Sequence, residues 1–317
     1  MKKNQALRFI KKYNKFIIVI HEKPDGDCIG AGLALLLALK QMNKSGEIIL
    51  LDKLPEKYKF LPLADKINEI KDIKKFFKNR KFQGLIFVDC GSLNLSGIEK
   101  KDIKNLPTLN IDHHPTNEAF GDINYIESAK AATSEILYDC FCDWKIKIDK
   151  NIATLLFAGI FTDTGGFQHS NTTLSVLEKV SELIKRGVKV ERLSKRLLNT
   201  RSIASLKILG LALKRTVYNK KYNIVYSIIC ENDKKRYGAT DEDLEGIINM
   251  ISSSPDVAAT LLLYETKEGI KGSLRTEKDE IDVSALAKAL GGGGHKKASG
   301  FKIAGRVEKD RNRYTIC

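Results

Sequence analysis

Short apolar runs that end in acidic or histidine side chains constrain the fold of this chain most. Three such runs cover residues 16–20, 84–88 and 109–111, and each is rich in β-branched residues or leucine. The side chains that follow them are His21, Asp25, Asp27, Asp89, Asp112, His113 and His114. In open α/β sheets, ligands gather at the carboxyl ends of the parallel strands. The pattern therefore predicts a doubly wound, mainly parallel sheet with a polar site at one edge.

The second part of the chain follows a different pattern. With 317 residues the chain is long enough for two domains. After about residue 214, paired strands and short helices indicate a smaller α+β domain. We predict a first domain over 1–190, a helical linker over 191–216 and a second domain over 217–317. Within the first domain, the polar stretch around 65–79 is predicted to be helical.

Composition limits the cell compartment and the class of partner. No apolar run reaches the roughly 20 residues that a membrane span needs, and the first residues lack the apolar core of a signal peptide. Six cysteines without CxxC spacing are typical of free thiols in a reducing compartment. We therefore expect a cytoplasmic protein without a membrane partner. The net charge of +15 suits a polyanion such as nucleic acid, although a solvated lysine-rich surface has the same charge.

The acidic and histidine side chains are of the types that bind divalent cations. Asp163, which follows an apolar helical segment, completes the set. Carboxylates neutralise dications, and imidazoles favour Mn²⁺, Fe²⁺, Co²⁺ or Zn²⁺ over Mg²⁺. Taken alone, Asp27 could be a helix N-cap and Asp25 part of a turn. Taken together, the residues predict two cations that polarise a phosphoryl group, with Asp112 orienting an imidazole.

The order of these segments resembles the DHH phosphoesterase superfamily. His-x-x-x-Asp-x-Asp, an Asp that closes a strand, Asp-His-His and Thr-Asp-Thr-Gly follow one another between residues 16 and 166. The resemblance implies one Mn²⁺ held by His21, Asp25 and Asp89, and a second held by Asp27, Asp89, His113 and Asp163. It also implies that Asp89 bridges the two ions and that His114 faces the scissile phosphate or its leaving oxygen.

A glycine-rich segment near the carboxyl end suggests a second binding element. Residues 291–300 read GGGGHKKASG. Consecutive glycines let backbone N–H groups approach an anion, although a flexible turn is the alternative. The segment resembles the signature of the DHHA1 domain, over residues 217–305. That resemblance implies an active site in the cleft between the domains, where a substrate phosphate or nucleotide end is bound by Arg275, Gly293, Gly294 and His295.

The combination of both domains in 317 residues is similar to the nanoRNase group of this superfamily. The resemblance implies a hydrolase that degrades short oligoribonucleotides to mononucleotides and dephosphorylates 3′-phosphoadenosine 5′-phosphate (pAp). Three alternatives stay open: a phosphodiesterase of cyclic or linear dinucleotides, a RecJ-like single-strand exonuclease, and a nucleotide-binding module without activity. The expected partners are short RNA or small phosphorylated nucleotides, and a homodimer is left open.

Overall fold

The protein forms two compact units, Met1–Thr200 and Arg201–Cys317. The computed structural model describes residues 2–77, 81–103, 106–198, 201–244, 246–253, 256–310 and 313–316. Among these residues, no helix combines the length and the apolar character needed to cross a bilayer.

The first unit is built on a six-stranded sheet whose strands are all parallel. Its strands are β1 (Lys15–Val19), β2 (Ser45–Leu50), β3 (Ile67–Glu69), β4 (Gly84–Val88), β5 (Thr108–Asp112) and β6 (Ile123–Ile126). They lie in the order β3-β2-β1-β4-β5-β6. The predicted doubly wound parallel sheet is therefore confirmed. The strand order reverses between β1 and β4, which is where ligands bind in such sheets.

The helix predicted around residues 65–79 is wrong. Ala64–Lys66 forms a single 3₁₀ turn, and residues 67–69 form β3, which pairs with the end of β2 at the sheet edge. Of the described residues that follow, Ile73–Phe77 (α3) is α-helical. Residues 78 and 79 lie outside the described residues. The strand was missed because an edge strand is solvated on one side and therefore lacks a continuous apolar run.

Helices cover both faces of this sheet. Besides α3 they are α1 (Lys2–Lys12), α2 (Gly26–Gln41), α4 (Thr133–Asp143), α5 (Lys150–Asp163), α6 (Leu174–Lys185) and α7 (Val190–Leu198). Successive side chains of β1 point to opposite faces of the sheet and pack into two different hydrophobic cores. Ile18 packs with α2, α4 and α5, whereas Ile17 packs on the opposite face with Phe87 and Ile73. Burial on both faces explains why the strand reads as an unbroken apolar run.

The helices α2 and α5 pack backbone against backbone. A Cβ added to Gly30 would lie 2.5 Å from the carbonyl oxygen of Leu155, so only glycine fits there. This close crossing brings the first turn of α2 next to the last turn of α5. As a consequence Asp27 and Asp163, which are far apart in the sequence, approach each other.

The second unit contains a mixed six-stranded sheet. Its strands are β7 (Val217–Asn219), β8 (Ile224–Ile229), β9 (Ala259–Thr266), β10 (Gly269–Arg275), β11 (Gly293–His295) and β12 (Ala298–Ile303). The order is β11-β12-β10-β9-β8-β7, and only β8 and β9 among these neighbours run parallel. Four helices accompany the described part of this unit: α8 (Ile203–Lys214), α9 (Glu231–Tyr237), α10 (Ile247–Ile251) and α11 (Val283–Ala289). A hairpin of β13 (Val307–Asp310) and β14 (Arg313–Ile316) follows, and the expected α+β unit is confirmed.

Candidate metal centre

The carboxyl ends of three neighbouring strands gather most of the predicted site residues of the first unit. His21 follows β1, Asp89 follows β4, and Asp112 is the last residue of β5. His113 and His114 directly follow Asp112. Asp25 is the N-cap of α2, Asp27 lies in its first turn, and Asp163 is the last residue of α5. The structure thereby brings together all eight side chains predicted in this unit: His21, Asp25, Asp27, Asp89, Asp112, His113, His114 and Asp163.

Asp89 lies at the centre of this cluster. Its side chain is 1% exposed, and its Oδ1 accepts a hydrogen bond from Thr133 Oγ1 at 2.8 Å. Its Oδ2 has no hydrogen-bond partner among the described residues. Burial and the charge of Asp27 raise the pKa of Asp89 well above its usual value. A buried carboxylate with an unpaired oxygen is costly unless a cation compensates it, so Asp89 fits a metal ligand.

One possible cation position lies on the β1 side of Asp89. His21 Nε2 is 3.8 Å from Asp89 Oδ2 and 4.0 Å from Asp25 Oδ1. The other ring nitrogen, Nδ1, is 2.7 Å from the carbonyl oxygen of Glu22. A contact of Nδ1 with this carbonyl orients the ring so that Nε2 faces the space beside the two carboxylates, where a cation would lie.

Cys28 also borders this position, and sequence reasoning did not predict it. Its Sγ is within ligand distance of the same group and donates a hydrogen bond to the carbonyl oxygen of Asp25 at 3.7 Å. Burial and the charge of Asp25 raise the pKa of the Cys28 thiol well above its usual value. The sequence did contain a sign of this position, because Cys28 directly follows the His-x-x-x-Asp-x-Asp motif and lies three residues after Asp25.

A second possible position lies between Asp27, His113 and Asp163. His113 Nε2 is 3.0 Å from Asp163 Oδ2 and 3.6 Å from Asp89 Oδ1. Although Nε2 lies close to these carboxylates, it forms no hydrogen bond of good geometry with any described residue. Burial and the charge of Asp27 raise the pKa of Asp163 to about 7. Burial opposes the charged form of His113, but Asp163 and Asp27 raise its pKa to about 9. The carboxylate oxygens and the imidazole nitrogen therefore face one another in a region of high negative charge, which suits a divalent cation.

Asp27 has a structural partner that the sequence did not reveal. Its buried carboxylate accepts hydrogen bonds from the backbone N–H of Thr133 at 2.6 Å and of Ser134 at 2.9 Å. These N–H groups begin α4, whose N-cap residue Ala132 offers no capping side chain. Asp25, rather than Asp27, is the N-cap of α2. The sequence signal was an alanine, Ala132, at the position that precedes the helix. Since alanine cannot cap a helix, another residue has to accept the first N–H groups of α4.

Space for the Asp27 carboxylate depends on a glycine in α5. A Cβ added to Gly159 would lie 2.4 Å from Asp27 Oδ1 and 2.0 Å from Ser134 Oγ. Both distances are far below van der Waals contact. Gly159 therefore permits the approach of α5 to the start of α4, with Asp27 between them.

His114 and Asp112 form a separate pair beside Asp89. His114 Nδ1 is 2.8 Å from Asp112 Oδ1, and the ring is 38% exposed. Asn117, which the sequence analysis missed, donates one hydrogen bond to Asp112 Oδ2 and another to the carbonyl oxygen of Cys90 at 3.0 Å. Hydrogen bonding and the charge of Asp112 raise the pKa of His114. The pair holds an imidazole that is accessible from solvent in a fixed orientation.

In the second unit, Arg275 and His295 share one row of the sheet. Arg275 on β10 faces Ala298 on β12, which in turn faces His295 on β11. Residues directly opposite in antiparallel strands project from the same face. Arg275 also donates from Nη1 to the carbonyl oxygen of Leu274 at 2.9 Å and from Nε to Asn249 Oδ1 at 3.3 Å. Burial lowers the pKa of the Arg275 guanidinium.

The glycine-rich segment is a β-hairpin and not a loop. Gly293 and Gly294 belong to β11 and pair with β12. Gly294 has φ +137°, and a Cβ there would lie 2.6 Å from the Cα of Ser299, so glycine is required. Two backbone hydrogen bonds hold the turn of the hairpin in place. The carbonyl oxygens of Lys296 and Lys297 accept them from the N–H groups of Val283 and Thr276, respectively. The backbone of Gly293 is at the edge of the sheet, and a Cβ there would meet open space.

Two protein-family models match this chain. The model described as the DHH family, N-terminal domain matches residues 15–160, and the DHHA1 domain matches residues 221–313. The first match contains all the clustered side chains except Asp163. The second contains Arg275, Gly293, Gly294 and His295.

Curated relatives and a solved structure are similar over nearly the whole chain. The bifunctional oligoribonuclease and PAP phosphatase NrnA of Thermus thermophilus is 30% identical, over 91% of this chain and 84% of that protein. The protein of the same name from Mycoplasma genitalium is 30% identical over 96% of this chain and 93% of its own. The crystal structure of an exopolyphosphatase-related protein from Bacteroides fragilis has a TM-score of 0.89 and 27% identity. That comparison covers 96% of this chain and 91% of the other.

Proposed function

The chain belongs to the DHH phosphoesterase family, and we propose that it degrades short oligoribonucleotides to mononucleotides and dephosphorylates pAp. DHH phosphoesterases are metal-dependent hydrolases, and the described part of this chain contains three groups of side chains that could hold a cation. Relatives named oligoribonuclease and PAP phosphatase support these substrates.

The observation that carries the proposal is the buried Asp89 carboxylate between two sets of ligands. Its Oδ2 lies on the side of His21, and its Oδ1 lies on the side of His113. Two cations that share one carboxylate are typical of phosphoesterase sites. We therefore propose two cation positions with Asp89 common to both.

The side chains fit Mn²⁺ as the ion. One ion would be held by His21, Asp25 and Asp89, and the other by Asp27, Asp89, His113 and Asp163. Mixed imidazole and carboxylate ligands favour Mn²⁺ over Mg²⁺. When bound, the two cations supply charge that polarises a phosphoryl group and lowers the pKa of a nearby water.

His114 would act at the leaving oxygen. Asp112 fixes the ring through Nδ1, so that Nε2 is the nitrogen left to hold a proton for the substrate. Hydrogen bonding to Asp112 raises the pKa of His114, which favours the protonated ring that a general acid needs. Asp112 is thus proposed as the residue that orients this acid.

Arg275 and His295 would bind the terminal phosphate of the substrate. Their shared row on the sheet supports a joint role. An arginine fork binds phosphate with two parallel hydrogen bonds. A clamp of this kind at the substrate's end would favour short chains over long ones, and it would also accept pAp.

The proposal is tested with RNA of two to five nucleotides, pAp, cyclic di-AMP, linear pApA and long single-stranded DNA. Each is incubated with Mn²⁺, and the products are identified by mass. We expect mononucleotides from short RNA, AMP from pAp, and loss of both activities in Asp163→Asn. The control Asp65→Asn removes an exposed carboxylate that pairs with its neighbour Lys66, and it should retain wild-type rates. Release of no mononucleotide from short RNA would refute the proposal.

A further inference from the structure

We propose that Glu135 is a positioning residue for the metal centre, acting through the peptide group between Lys130 and Ala131. The inference rests on the proposed function, because it concerns the ligands of that site. Glu135 is in α4, and its side chain is only 3% exposed. Among the described residues, Glu135 belongs to none of the groups of side chains that could hold a cation.

The segment 130–135 contacts three of the proposed ligands. The carbonyl oxygen of Lys130 is 3.3 Å from His113 Nδ1. Thr133 donates from Oγ1 to Asp89, and its backbone N–H donates to Asp27. The orientation of these ligands therefore depends on how firmly this segment is held.

A fourth ligand is joined to the same segment by Asn171. Its Nδ2 is 3.2 Å from the carbonyl oxygen of Ala131 and 3.2 Å from that of Asp163. The amide thus links the segment to the end of α5. Segment 130–135 is consequently in contact, directly or through one side chain, with every ligand of the second cation position.

Glu135 fixes the first peptide group of this segment. Its Oε2 accepts a hydrogen bond from the backbone N–H of Ala131 at 2.8 Å. That N–H and the Lys130 carbonyl belong to one planar peptide group, in which the two bonds point in opposite directions. An N–H directed at Glu135 therefore directs the carbonyl at His113. The carbonyl in turn keeps the proton on Nδ1 and leaves Nε2 for the cation.

A charge network holds Glu135 itself in place. Its Oε1 is 2.6 Å from Lys179 Nζ and 3.4 Å from Lys130 Nζ. Both ammonium groups also reach Asp139 Oδ2, at 2.6 Å from Lys130 and 3.0 Å from Lys179. Two positive and two negative groups balance, so the buried Glu135 carboxylate is compensated.

Two conservative substitutions separate positioning from charge. Glu135→Gln can keep an oxygen acceptor facing Ala131, but it removes the negative charge and turns an NH2 group toward Lys130 and Lys179. Glu135→Asp keeps the charge but shortens the side chain, which withdraws the acceptor from Ala131. If Glu135 positions the peptide, Glu135→Asp should weaken Mn²⁺ binding about tenfold, as removal of partners that orient ligands does. Glu135→Gln should bind Mn²⁺ within about twofold of wild type, although it should unfold at a lower temperature because Lys130 and Lys179 lose a counter-charge.

The experiment is a Mn²⁺ titration of the whole chain, with free Mn²⁺ measured by electron paramagnetic resonance. Lys234→Met is the matched control, because Lys234 is a buried ammonium paired with Glu231 and Asp241 in the second unit. It should lower the unfolding temperature and leave Mn²⁺ affinity unchanged. Wild-type affinity in Glu135→Asp, or weaker binding in Glu135→Gln than in Glu135→Asp, would overturn the positioning role. Absence of Mn²⁺ binding by the wild type would instead refute the proposed function.

Discussion

Replacing Gly159 by alanine should damage the site while leaving the fold intact. The new methyl group would lie 2.4 Å from Asp27 Oδ1 and 2.0 Å from Ser134 Oγ. Ordinary van der Waals contacts of a Cβ begin at 3.4 Å, so the Asp27 and Ser134 oxygens must move away by about 1 Å or more. A displacement of that size at a reacting centre costs about 100-fold in rate.

Stability should change much less than activity. Overpacking a buried position costs about 1–3 kcal/mol, but alanine is better than glycine inside a helix by about 1 kcal/mol. The free energy of unfolding should therefore fall by only about 0–2 kcal/mol, by the difference of these two effects.

The assay compares kcat, KM and Mn²⁺ affinity on a dinucleotide RNA with urea unfolding of the same samples. Gly210→Ala is the matched control, since Gly210 lies within α8 and a Cβ there meets no atom within 4 Å. It should gain about 1 kcal/mol without loss of activity. Wild-type rates and Mn²⁺ affinity in Gly159→Ala would refute the idea that this close approach positions Asp27.

Three further predictions concern other parts of the site. Burial and Asp27 raise the pKa of Asp163 to about 7, whereas an unfolded Asp titrates near about 4. The metal-free folded state therefore holds an extra proton between these values, so urea unfolding in EDTA should show stability falling as pH rises through this window. That slope should flatten in Asp163→Asn, and equal slopes would contradict the assignment. Asn117→Ala should lower kcat about tenfold or more, by loosening Asp112, with unchanged Mn²⁺ affinity in a titration; weaker Mn²⁺ binding would contradict it. Arg275→Ala should raise KM for short RNA about tenfold or more at similar kcat, whereas the control Arg236→Ala should match wild type in the same steady-state assay.

The parallel sheet and the clustering of acidic and histidine side chains at its edge could be predicted, because both follow from local sequence patterns. Continuous apolar runs such as 84–88 indicate strands buried on both faces. Parallel strands in turn force the residues at their carboxyl ends, such as His21 and Asp89, toward one edge. No contact between distant segments had to be known for this step.

The residues that form hydrogen bonds with these side chains could not be predicted in the same way. Thr133 meets Asp27 across 106 residues of sequence, and Asn171 meets Ala131 across 40. Such contacts depend on how helices pack, which the pattern of apolar residues does not specify. The segment 291–300 was predicted to be an anion-binding loop or a flexible turn, because glycines are rare in strands. It forms a β-hairpin, since Gly294 packs closely against Ser299 on the neighbouring strand.

We propose that Asp89 is shared by two divalent cations. This sharing is tested by titrating the metal-free chain with Mn²⁺ and counting the bound ions by electron paramagnetic resonance. We expect two Mn²⁺ per chain in the wild type, one after His21→Ala, and weakened binding at both positions after Asp89→Asn. A single Mn²⁺ in the wild type, or two bound with unchanged affinity in Asp89→Asn, would contradict it.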